Sequence, residues 1–142
     1  MTDNPSRTLR TIAQSYVAPG TELDAQGVPE IVGVDLDASL LFYEALGFRT
    51  ERRSGQFAVM NGFGMRVFLA EDPNAMTGQR WANIRIVVPD VNVVWECATQ
   101  LGLPIAHSIA DRPYSLRDFV LRDPSGFEIR FAQVIPKHAR PK

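Results

Sequence analysis

The chain has 142 residues, 45% of them apolar and 22% charged, which is enough for one well-packed core. A formal net charge of −1 with interspersed signs leaves no basic footprint for nucleic acid or an anionic membrane. No apolar run approaches the ~18 residues of a spanning helix, and the one cysteine, Cys97, allows no internal disulfide, so the expected setting is the reducing cytoplasm.

Residues 1–26 read as a helical extension. After Asn4, Pro5 and Ser6 come Leu9, Ile12, Ala13, Tyr16 and Val17 at helical spacing, stopped by Pro19 and Gly20. VPEIVGV (28–34) is a β-branched run of strand length. Asp35 or Asp37 then stands where a helix starts, and Leu36, Leu40, Tyr43 and Leu46 form an apolar stripe closed by Gly47. That helix has a second stripe, Leu41, Phe42 and Ala45, which is the expected seat of the N-terminal helix, in its own domain or in a partner's. Short strands follow, turning at Asn61 to Gly64.

The second half repeats this grammar. NIRIVVP (83–89) is a strand, Asp90 a cap, and Val91, Val94, Trp95, Ala98 and Leu101 a stripe closed by Gly102, which makes Trp95 a core residue. At an offset of 55, Asp35, Leu36, Leu46, Gly47 and Phe48 fall on Asp90, Val91, Leu101, Gly102 and Leu103. At an offset of 62, Phe57, Val59, Asn61, Gly64, Val67, Leu69 and Ala70 fall on Phe119, Leu121, Asp123, Gly126, Ile129, Phe131 and Ala132. The second copy is seven residues longer, and the extra length lies in AHSIADRPYSLRD (106–118), which reads as a long loop. The fold class is α+β: two tandem βαβββ modules, 27–72 and 80–134, make one unit over 27–134, followed by a basic tail at 135–142.

DLDASLLFYEALGF, its later echo and the closing DPSGFEIRFAQ resemble the vicinal oxygen chelate superfamily, which includes glyoxalase I, extradiol dioxygenases, fosfomycin-resistance enzymes and bleomycin-resistance proteins. The resemblance spans about residues 27 to 134 and implies a cup-shaped mixed sheet with helices outside. It also implies a homodimer, sometimes formed by exchange of modules. Metal-dependent members of the family hold an ion with four side chains, and their counterparts here are Val28, Phe68, Asn83 and Arg130. An alkyl chain, a phenyl ring and a guanidinium are not ligands, so no metal, no cofactor and no catalytic residue is expected. His107, in the inserted stretch, and His138, in the tail, read as solvated. The likeness therefore inclines to the bleomycin-resistance branch, in which an arginine near the chain's end also occurs.

Strand alternation puts Glu30, Arg66, Trp81, Arg85 and Glu128 on the concave side with Phe68, Asn83 and Arg130. Glu30 corresponds to Arg85 and Arg66 to Glu128, so these four charges sum to zero and Arg130 is left as an unpaired cation. Two readings follow: a neutral aromatic pocket with one anion anchor, or a set of ordinary salt bridges. Tyr114 and Phe63 stand near loops, as lids or as plain surface. The expected function is metal-independent binding of a small molecule, such as sequestration of a drug in antibiotic resistance or of an aromatic or anionic metabolite. The alternative is a lyase or dioxygenase of the superfamily with atypical ligands or none, and a third possibility is a scaffold whose cup is filled by its own side chains.

Overall fold

In a computed structural model of the protein, which describes residues 3–18 and 26–136, the element order follows the repeat. His138, Pro19 and Gly20 lie outside the described residues. Helix α1 (Pro5–Gln14) comes first; the first unit is β1 (Glu30–Gly33), α2 (Leu36–Ala45), β2 (Arg49–Ser54), β3 (Phe57–Gly62) and β4 (Met65–Glu71). The second is β5 (Asn83–Val87), α3 (Val91–Gln100), β6 (Ile105–Asp111), β7 (Leu116–Arg122) and β8 (Glu128–Val134). Each unit makes a four-stranded mixed sheet, ordered β1-β4-β3-β2 and β5-β8-β7-β6, with its parallel pair at one edge. Among the described residues no helix is long and apolar enough to cross a membrane.

The internal repeat extends to individual hydrogen bonds. Asp35 and Asp90 cap α2 and α3, each carboxylate accepting from first-turn amides. The N–H of Leu36 donates to Glu71 at 3.0 Å, and that of Val91 to Gln133 at 2.9 Å, so a side chain at the end of each unit's last strand ties down its helix. Register repeats as well: Glu30 lies beside Phe68 as Arg85 lies beside Arg130.

The stretch 106–118 corrects the loop expectation. It completes β6 and, after a turn at 112–115, enters β7, so the seven extra residues lengthen a hairpin. Polarity was a poor guide because β6 is an edge strand whose side chains are mostly exposed or half-exposed, and its register shifts twice against β7.

Helix α1 forms where its spacing predicts, capped by Asn4 and with Pro5 in its first turn, but its seat differs from the expected stripe. It packs against α3 and β3, with Leu9 and Ala13 fully buried, while Leu41 of α2 stays 69% exposed. The reason is local: Gly47, at φ +103°, has no side chain, and a Cβ there would stand 2.5 Å from the Leu9 carbonyl oxygen. Gln14 then donates to the carbonyls of Gly47 and Asn61, and Phe63 donates its N–H to Ala13. Tyr16 and Val17 lie beyond the helix and are exposed.

One apolar cluster runs through both units, from Ile31, Met60, Val67 and Leu69 to Phe119, Leu121, Ile129 and Phe131. Phe63 meets Phe131 edge to face at 5.2 Å, and Trp95 meets Phe119 at 5.2 Å, as its place on the stripe predicts. A buried polar link is Tyr43, whose hydroxyl donates to Asp123 Oδ2 at 2.8 Å across the unit boundary. Burial, reinforced by the Asp123 charge and this bond, raises the phenol well above its ordinary value and keeps it a donor. Tyr43→Phe should cost about 1–3 kcal/mol in urea denaturation, because it removes a donor from a buried carboxylate while leaving ring packing intact.

Candidate functional site

Alternation sends Ile84, Ile86, Ile129, Phe131, Phe119 and Leu121 into the core, which leaves the other face of the second sheet to Asn83, Arg85, Glu128, Arg130, Asp118, Val120 and Arg122. The centre of that face is Asp118, whose side chain is 0% exposed. Arg112 Nε donates to Asp118 Oδ1 at 2.7 Å, the Tyr114 hydroxyl to Oδ2 at 2.8 Å, and Arg130 Nη1 to Oδ2 at 3.3 Å. Arg130 Nη1 also lies 3.3 Å from the Tyr114 hydroxyl, and Arg85 Cζ stands 5.5 Å from the Tyr114 ring centre.

Desolvation pushes the Asp118 carboxyl up, but the hydrogen bonds from Arg112, Tyr114 and Arg130 outweigh it and hold the group below the usual aspartate value. Burial comes first in raising the Tyr114 phenol, followed by its bond to Asp118, so it remains a protonated donor. The result is an ionised carboxylate that fixes two guanidinium groups and a phenol before any ligand arrives. Such a face can bind and orient an oxyanion.

Arg130 is therefore not the lone cation that charge counting gave; it shares Asp118 with Arg112. Two of the four offsetting charges take partners within their own sheet: Arg66 Nε pairs with Glu51 at 3.1 Å, and Glu128 with Arg122, its register partner on β7, at 3.2 Å. Glu30 is exposed at the start of β1, beside Phe68. Phe68 packs edge to face on Phe57 at 5.2 Å and, with Arg66, Glu51, Arg52 and Val59, lines a separate hollow of about 270 Å³. Asn83 is exposed at the start of β5, opposite Glu128. Trp81 precedes β5 and is 94% exposed, so it offers stacking surface only to something arriving from outside.

The predicted residues thus divide into Glu30, Arg66 and Phe68 on the first sheet and Asn83, Arg85, Glu128 and Arg130 on the second. The sequence pattern does not single out Arg112 or Asp118, and it marks Tyr114 only as a lid or plain surface. Asp118 was legible in principle, since it continues the alternation of Val120 and Arg122 backwards. Arg112 was not, because only the turn at 112–115 brings it over the sheet. His107 sits in β6 opposite Val120, within the sheet and not in a loop.

The fold-family's metal positions do not fit a metal here: Val28 precedes β1, Phe68 and Arg130 carry no ligand atom, and Asn83 alone could donate an oxygen. Among the described residues no group of three His, Cys, Asp or Glu side chains stands close enough to hold one.

Residues 26–131 match the family described as Glyoxalase/Bleomycin resistance protein/Dioxygenase superfamily. No curated protein matches the chain. Among solved structures, a bleomycin resistance determinant encoded on the transposon Tn5 superposes with a TM-score of 0.69 at 19% identity, over 78% of this chain and 98% of that one. A bleomycin-binding protein complexed with bleomycin gives 0.68 at 19% identity, over 78% and 98%. A lactoylglutathione lyase from Agrobacterium tumefaciens gives 0.64 at 19%, over 80% and 96%. At these identities the likeness is one of fold.

The folded Asp118 carboxyl lies below its unfolded value, so its contribution to stability is complete above about pH 4 and is lost as pH falls through the folded value. The stability gap between the wild type and Asp118→Asn, followed by urea midpoint from pH 7 to pH 2, should accordingly narrow on acidification.

Proposed function

The chain belongs to the glyoxalase/bleomycin resistance protein/dioxygenase superfamily, and from that premise we propose that it binds an anionic, aromatic small molecule without the help of a metal. The observation that carries this reading is the buried Asp118 carboxylate, which holds Arg112, Arg130 and Tyr114 on one sheet face. Preorganised donors of this kind lower the ordering cost of binding. They provide no open coordination site, so the reading favours sequestration over turnover, as for a drug or a metabolite held in the cytoplasm. The bleomycin-binding neighbour is an example of the same fold with a drug bound.

Arg130 is the proposed anchor. It lies beside Arg85 in the parallel pair and its side chain is 20% exposed, so part of the guanidinium faces outward. Phe68, Arg66 and Glu30 belong to the same proposed site only if a first sheet is brought opposite a second. A homodimer would do this. β1 and β5 are edge strands, and on β5 the side chains of Asn83, Arg85 and Val87 are exposed, which is surface a second copy could cover. Trp81, in the turn before β5, would then supply stacking surface at the join.

Arg130→Met should weaken binding of benzoate, used as a minimal anionic aromatic, by about 2 to 5 kcal/mol in calorimetry. The fold should survive, because Arg112 and Tyr114 still bond Asp118. Unchanged affinity together with a much lower Tm would make Arg130 a structural ion-pair partner. Sedimentation equilibrium should give a mass of twice the 15.8 kDa chain; a monomer at all concentrations would remove the dimer.

A further inference from the structure

The seven residues by which the second unit exceeds the first extend the β6–β7 hairpin, and that hairpin's turn carries Arg112 and Tyr114. Ser115, at φ +67°, helps to bend it, and Arg112 is held down twice more by carbonyls, those of Ser108 at 3.0 Å and of Asp118 at 3.5 Å. The insertion thus brings a cation and a phenol over a face that already has Arg85 and Arg130 side by side.

Charge counting on that face leaves a surplus. Arg122 and Glu128 pair at 3.2 Å and cancel. Arg112 and Arg130 share the single Asp118 carboxylate, and Arg85 meets Tyr114 through the ring face. Three guanidinium groups against one carboxylate leave two positive charges. The hydrogen-bonding capacity of Arg130 is also not spent, since both its side-chain bonds leave from Nη1. A singly charged carboxylate would satisfy half of this surplus. An oxyanion with two charges matches the surplus, and guanidinium groups are well suited to bond its oxygens in pairs.

Resting on the reading of an anionic aromatic site, we infer that the group held between Arg85, Arg112 and Arg130 is a dianionic oxyanion, a phosphate monoester. Arg85 is the residue that discriminates. It is exposed, bonded to no carboxylate among the described residues, and supplies the second positive charge that a carboxylate ligand does not need.

Isothermal titration of the full chain at pH 8 with phenyl phosphate, benzoate and inorganic phosphate tests this. Phenyl phosphate should bind at least about tenfold more tightly than benzoate, and should lose most of that advantage at pH 5, where a phosphate monoester with a second pKa near 6 is largely a monoanion. Arg85→Met should weaken phenyl phosphate at least about tenfold more than it weakens benzoate; because Arg85 is exposed, the variant should fold, which its Tm will show. Inorganic phosphate binding as well as phenyl phosphate would point to a free phosphate site without need of the aromatic ring, and would still support the dianion. If benzoate binds as tightly as phenyl phosphate, the dianion inference is overturned while the anionic aromatic site stands. If none of the three binds, both are overturned.

Discussion

The bond from the Tyr43 hydroxyl to Asp123 is a buried polar constraint that joins the two halves of this protein. Asp123 is buried, and its other oxygen accepts from the N–H and hydroxyl of Ser125 and from the N–H of Phe127, so one carboxylate both shapes the turn before β8 and receives a donor from the opposite unit. A buried charge is tolerated when it is bonded this fully. The closeness it demands is visible next door, where a Cβ on Gly33 would stand 3.0 Å from the Ser125 side chain. From the turn, β8 runs out in fixed register between β5 and β7, and this is what sets Arg130 beside Arg85 and within reach of Asp118.

Much of the fold was readable because it is written twice. Offsets of 55 and 62 residues gave the units, their caps and their apolar stripes, and the structure repeats even the Glu71 and Gln133 bonds to the helix starts. What the repeat could not give were the features that break it. Gly47 has a counterpart in Gly102, yet only Gly47 receives a helix, because the Leu9 carbonyl can close on it; a stripe on α2 was the more obvious seat in sequence and remains partly in solvent. β6 was hidden by its exposure: an edge strand with polar side chains has the composition of a loop.

The site was legible in part for the same reason. Asn83, Arg85, Glu128 and Arg130 share one face of the second sheet by alternation, but counting charges did not reveal their partners, since Arg66 meets Glu51 from two strands away and Glu128 meets Arg122 on the adjacent strand. Asp118 is the residue that changes the meaning of the face. It joins Arg130 to Arg112 and Tyr114, two residues of the inserted hairpin, in one hydrogen-bonded set of donors.

Arginine side-chain 15N–1H spectra recorded during a titration with phenyl phosphate test whether the Asp118 set is the binding site, since each guanidinium reports its own environment. The Nε signals of Arg130, Arg112 and Arg85 should shift together and saturate, while those of Arg52 and Arg66 on the first sheet should move little in a monomer and only through the partner in a dimer. Saturating shifts confined to Arg52 and Arg66, with the Asp118 set unmoved, would contradict it.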